Sequence, residues 1–190
     1  MATERSTQET WSNHPDQKAY DLAYYNLIIP MVSGTVIDVG CGKCMLSKAI
    51  AEKPQTKSVH AIDRFPVEGR EQHYKIKHYV TDLNSGIPML DDLEADWVVS
   101  TEFIEHIPKE SLPLVLKGIN KHISSNGIFV GTTPNNLEAK GKTPRNPFHI
   151  YEYQLGELQE IFGYYFADVE VKDIGRQCAF WVCKTPKLLS

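Results

Sequence analysis

The chain has 190 residues, with 20 Lys and Arg against 24 Asp and Glu, for a net charge of −4. That balance excludes the global basic bias behind tight, non-specific nucleic-acid binding. Hydrophobic residues make up 42% and charged residues 23%, ordinary values for one globular domain whose core needs no disulfide or metal staples.

Residues 1 to about 15 are polar and lack periodicity, so they read as a flexible arm and not as a secretory signal; residues 16–190 read as a single domain. Tyr20, Ala23, Tyr24, Leu27 and Ile28 make one apolar helical stripe, with Asp16 placed to cap it and Pro30 to end it. The apolar run Leu27 to Val32 is broken by Pro30, so no membrane span is expected.

From Gly34 onward strand and helix signals alternate. Strands are expected over 35–39, 58–63, 77–81, 96–100 and 127–132, and helices over 43–53, through Leu112, Val115, Leu116, Ile119 and Ile123, and over 152–162. Two last strands, near 166–172 and 178–184, are close enough in sequence to pair as an antiparallel hairpin at or near one edge. The alternation implies an α/β three-layer sandwich around a mostly parallel sheet.

The sharpest motif is Val36-Ile37-Asp38-Val39-Gly40-Cys41-Gly42-Lys43-Cys44. A buried strand runs into a glycine turn that opens a helix, the place where ligands sit in open α/β sheets. Asp63 closes the next strand, 21 residues after Gly42, where a carboxylate can accept from both hydroxyls of a ribose. A Walker-type phosphate loop is excluded, because Gly42-Lys43 is followed by Cys44 and not by Ser or Thr.

With this turn, the acid Asp63, the Thr81-Asp82-Leu83 stretch and Ser100-Thr101-Glu102-Phe103-Ile104-Glu105-His106, residues 34–184 resemble the class I S-adenosylmethionine-dependent methyltransferases. The similarity is to the small single-domain type, as in ubiquinone-pathway-like enzymes. It implies a Rossmann-like, seven-stranded sheet with a reversed terminal hairpin and S-adenosyl-L-methionine as cofactor. By that resemblance Gly40, Cys41 and Gly42 face the methionine part, and Asp38 orients its amino group. Asp63, with its neighbour Arg64, holds the ribose. Asp82 and Leu83 flank the adenine, and Ser100 and Thr101 line the floor near the sulfonium. Cys44 stands where the family has its third glycine.

Cys41-Gly42-Lys43-Cys44 is formally C-x-x-C, and Cys178 and Cys183 make a second pair. The first overlaps the turn and the second sits in an expected strand, so plain free thiols of a cytoplasmic chain are preferred to a zinc site or redox pair.

Glu102, His106 and His149 are the candidate catalytic groups. An oxygen acceptor must lose a proton, and imidazole ordinarily titrates near neutral pH. If residues 102–106 are helical, Glu102 faces both Glu105 and His106. Glu102, Glu105, His106 and His149 together resemble the metal-binding set of the Hen1-type small-RNA 2′-O-methyltransferases. The same Glu-x-x-Glu-His stretch is also similar to methyltransferases without a metal, so the preferred reading has none. Lys140, Lys142 and Arg145 give the segment after strand five a small basic cluster. The acceptor expected is a small molecule or saccharide and not a long nucleic acid. The alternatives are metal-assisted RNA methylation and a non-catalytic cofactor-binding domain. The sequence fixes no oligomeric state.

Overall fold

The structure is a computed structural model describing residues 15–68, 70–135, 146–175 and 177–188. Residues 1–14 of the expected arm (1–15), the cluster Lys140, Lys142 and Arg145, and the side chains of Asp16 and Tyr20 lie outside the described residues.

The elements in chain order are α1 (Pro15–Ile28), β1 (Gly34–Val39), α2 (Met45–Ala51), β2 (Thr56–Asp63), β3 (Ile76–Val80) and β4 (Ala95–Thr101). They continue with α3 (Leu112–His122), β5 (Ile123–Pro134), α4 (Leu155–Tyr165), β6 (Phe166–Asp173) and β7 (Cys178–Pro186). Short 3₁₀ turns cover Leu83–Ser85, Ile104–His106 and Lys109–Ser111.

The seven strands form one sheet in the order β3-β2-β1-β4-β5-β7-β6. The first five are parallel; β7 runs antiparallel to both β5 and β6. β6 takes the edge and β7 inserts beside β5, so the terminal hairpin forms as the sequence predicts. Strand order reverses between β1 and β4, the switch point at which α/β sheets open a crevice beyond the strand ends.

Central burial explains why β1 is so apolar. Val36, Ile37, Asp38 and Val39 are all buried, as expected of a parallel strand covered on both faces. Val36 joins one core with Tyr24, Tyr25 and Ile28 of α1 and Leu46 and Ile50 of α2. Ile37 and Val39 join the other, with Leu112, Val115, Leu116 and Ile119 of α3 and Leu158 and Phe162 of α4. Phe129, Phe162 and Trp181 fill its centre, with ring centroids 5.2–5.7 Å apart.

Two expectations need correction. The face that α1 buries is Asp21, Tyr24, Tyr25 and Ile28, whereas Ala23 and Leu27 are exposed. The stripe was drawn through apolar residues, but the Asp21 carboxylate is buried by accepting the Tyr24 hydroxyl at 2.9 Å. The helix expected over 43–53 is shorter, because Cys44 adopts a left-handed conformation (φ 63°) that delays its start to Met45.

Candidate active site

At the end of β1 the chain turns through Gly40 (φ +76°) and Gly42 (φ +53°), both in the region that disfavours side chains. The two glycines serve different ends. A Cβ on Gly40 would stand 2.4 Å from ring carbons of Phe103, so this glycine admits the close approach of the segment after β4. Among the described residues, a Cβ on Gly42 would meet nothing within 4 Å beyond its own chain neighbours, so on their side Gly42 borders open space.

Asp63, at the C-terminal end of β2, spans the turn. One carboxylate oxygen accepts from the Gly42 amide at 2.8 Å and the other from the Phe65 amide at 3.1 Å. Asp38 points toward α2, where its carboxylate accepts the Ser47 hydroxyl. Burial pushes the Asp38 carboxyl up to about 7, opposed by the Ser47 hydrogen bond and reinforced by the nearby Asp63 charge.

The β2–β3 connection folds back over this turn. The Arg70 guanidinium donates to the carbonyls of Asp63 (3.2 Å) and Phe65 and reaches Cys41 Sγ at 3.6 Å. The Glu71 amide donates to the Lys43 carbonyl at 2.8 Å, and its carboxylate pairs with Lys48 at 2.7 Å. Asp82 follows β3, exposed, and caps the next 3₁₀ turn through the Asn84 amide at 3.1 Å, with Leu83 buried beneath. Arg64 is exposed, its guanidinium 4.9 Å from the Phe65 ring centre.

A second group gathers beyond β4 and β5. Ser100 is buried, and its hydroxyl stitches β4 to β1 by donating to the Val39 carbonyl at 3.1 Å. Thr101 is half-buried. Glu102 is held at φ +49°, so the expected helix does not begin there and only Ile104–His106 make a turn. Glu105 is buried, with one carboxylate oxygen accepting the Thr133 hydroxyl at 2.8 Å.

The stretch 146–153 docks on that turn through its backbone. The amides of Ile150 and Tyr151 donate to the Glu105 carbonyl at 2.7 and 3.2 Å, and His106 Nδ1 lies 2.9 Å from the Phe148 carbonyl. This brings His149 against His106, ring centroids 5.1 Å apart. His149 Nδ1 lies 2.6 Å from the Glu152 carboxylate, and its Nε2 lies 3.1 Å from the Asn146 amide nitrogen. The Phe148 amide donates to Asn146 Oδ1, fixing that side chain's orientation. The network therefore assigns the proton of His149 to Nδ1 and the lone pair to Nε2.

Residues 14–164 match the family model described as a methyltransferase domain. The chain belongs to the class I S-adenosylmethionine-dependent methyltransferases. It is 26% identical over 162 residues to a probable S-adenosylmethionine-dependent methyltransferase of Mycolicibacterium smegmatis, covering 82% of this chain. The chain spans 60% of that relative's length. Its fold is shared with a DhpI–SAH complex (TM-score 0.71, 16% identity, 93% of this chain and 90% of that one). It is also shared with the small RNA methyltransferase HEN1 (TM-score 0.68, 14% identity, 97% of this chain and 27% of that one).

Within this family fold, Asp38, Gly40, Cys41, Gly42 and Asp63 gather at the β1 turn. Glu105, His106 and His149 gather at the second group, with one ligand atom from each lying within 4.8 Å of the others. Glu102 stands outside that trio: its left-handed backbone sends the carboxylate toward β7, 3.9 Å from Cys178 Sγ. Sequence reasoning missed Ser47, Arg70, Asn146 and Glu152. Only Glu152 had a signal, its place three residues after His149.

Proposed function

We propose that the chain is an S-adenosylmethionine-dependent methyltransferase acting on an oxygen of a small molecule or saccharide. The observation that carries the cofactor half is the Gly42 edge: a left-handed glycine bordering open space, its amide tied to the strand-end carboxylate Asp63. These residues fit the cofactor. Cys41 and Gly42 leave room for its methionine part, while Gly40 lets Phe103 close in beside the turn; Asp63 accepts from its ribose, and Asp82 and Leu83 flank its adenine. Arg64 stands beside the ribose end, Asp38 orients the amino group, and Ser100 and Thr101 form the floor. When bound, S-adenosylmethionine supplies a methyl group made electrophilic by its sulfonium.

The chain's task is then to align an acceptor and take its proton. His149 is suited to this, because Glu152 accepts its Nδ1 proton and the Nε2 lone pair faces the Asn146 amide. In the proposed reaction the acceptor hydroxyl replaces the Asn146 amide at Nε2. His106 packs edge-on against His149 and limits its rotation.

A second reading has an observation of its own. Glu105, His106 and His149 make an oxygen-and-nitrogen set suited to a divalent metal. Both imidazoles hold Nδ1 against an oxygen, of Phe148 or Glu152, as metal-ligating histidines usually do. Those three residues would hold the ion, which would supply Lewis-acid activation of a ribose hydroxyl at an RNA end. A methyl-transfer assay with labelled cofactor decides between the readings, using sugar nucleotides, phenols and short RNA, each with and without a divalent metal. Label on a small oxygen acceptor without metal supports the first reading. Label in RNA only with metal replaces it by the second, and cofactor binding without transfer to any of them favours a non-catalytic domain.

A further inference from the structure

The cofactor turn contains two thiols that the reaction above does not use. Cys41 Sγ and Cys44 Sγ lie 3.4 Å apart, because the Cys44 amide donates to the Cys41 carbonyl at 2.8 Å and the left-handed Cys44 turns its side chain back. Their surroundings differ. Cys41 is partly exposed and within 3.6 Å of the Arg70 guanidinium, whereas Cys44 is fully buried, 3.7 Å from His78 Nδ1. Cys178 and Cys183 are both buried on β7, five positions apart, so they face opposite sides of an extended strand and cannot pair.

We propose that Cys41 and Cys44 form an oxidisable dithiol that closes to a disulfide and weakens cofactor binding, with a small disulfide such as oxidised glutathione as oxidant. The cofactor consequence rests on the proposed role of the turn. In the first step Cys41 sulfur attacks one glutathione sulfur, forming the mixed disulfide; the departing glutathione sulfur takes up the Cys41 proton. Cys44 sulfur then attacks Cys41 sulfur, and the second glutathione leaves with the Cys44 proton, for which His78 is the nearby carrier. Two thiols lose two electrons, and one oxidised glutathione becomes two reduced ones. The hydrogen bond with Cys44, and then burial, raise the Cys41 thiol above its ordinary value, so closure speeds up as pH rises.

Closure draws the sulfurs from 3.4 Å to about 2 Å. The residues between them are tethered, Gly42 to Asp63 and Lys43 to Glu71, so the shift falls on the backbone that faces the cofactor.

The test equilibrates the reduced chain with glutathione redox buffers, then reads thiols by alkylation and mass spectrometry and S-adenosylhomocysteine affinity by calorimetry. Two of the four thiols should be lost with a mass decrease of about 2 Da, and affinity should fall at least about tenfold and return with reductant. Cys44→Ser should retain a glutathione adduct at Cys41, whereas Cys41→Ser should gain none at buried Cys44. No internal disulfide in excess oxidised glutathione, or a disulfide that leaves affinity unchanged, overturns the proposal. A reduced chain that fails to bind S-adenosylhomocysteine would instead refute the cofactor role, with ring closure still decided by mass.

Discussion

The β1 turn and the Glu105–His149 group sit at the same end of the sheet but are built differently. The turn is made from neighbours in sequence: Asp38 through Ser47 are one strand, one turn and one helix, and Asp63 arrives at the end of the adjacent parallel strand. The second group is made from segments that lie 28 or more residues beyond Glu105, joined to it by Thr133 donating to its carboxylate and by the docking of Ile150 and Tyr151 on its carbonyl. The first can be broken by altering its backbone. The second depends on long-range side-chain and backbone hydrogen bonds.

The largest effect is expected at Gly40. Gly40→Val places a Cβ against the Phe103 ring in a backbone conformation that β-branched residues avoid, so a loss of more than about 3 kcal/mol is expected. Thermal unfolding of the unliganded chain checks this. A melting temperature within a few degrees of wild type would mean that Phe103 is not packed there. The clash makes Gly40 a poor probe of the cofactor itself, since the fold suffers first.

Next is Asp38. In the unfolded chain its carboxyl titrates near its ordinary value of 3.8, and in the folded chain at about 7. The folded state therefore binds more protons between those values, and this residue costs stability progressively as pH rises from about 4 to 7. Asp38→Asn should stabilise the unliganded chain on the order of 2–4 kcal/mol at pH 8, with the gain shrinking toward pH 4. Denaturant melts at the two pH values give the difference, and a gain independent of pH would refute the assignment.

Asp63→Ala should weaken S-adenosylhomocysteine binding by about 1.5–3 kcal/mol, the range for a hydrogen bond to a charged group. An alanine beside the stretch 146–153 should have a smaller effect still. Lys109→Ala removes an exposed ion pair with Glu157 and a contact with the Tyr151 hydroxyl, and should cost no more than about 1 kcal/mol. A larger loss, read from chemical denaturation, would show that this surface pair helps hold stretch 146–153 in place.

The same contrast governs what the sequence discloses. The buried run Val36 through Val39, the two glycines and the strand-end Asp63 are local patterns, and they disclose the central strand, its turn and the proposed cofactor end before any coordinates. The α1 face differs from its apolar stripe because burial of Asp21 depends on a hydrogen bond from Tyr24, which hydropathy does not register. A helix over residues 102–106 would set Glu102 beside Glu105 and His106, but its left-handed backbone breaks that spacing. Ser47, Arg70 and Asn146 act through contacts that no spacing rule encodes, whereas Glu152 was within reach of the i, i+3 rule.

Calorimetric titration of S-adenosylhomocysteine into wild-type chain and Gly42→Ala tests the central claim most directly. Among the described residues the added methyl group meets no atom within 4 Å beyond its chain neighbours, so the fold should bear only the left-handed strain of about 1–2 kcal/mol. If the open space beside Gly42 receives the cofactor, wild type binds and Gly42→Ala loses at least about tenfold in affinity while remaining folded. Equal affinity for the two folded proteins, or no binding by wild type, would contradict the account.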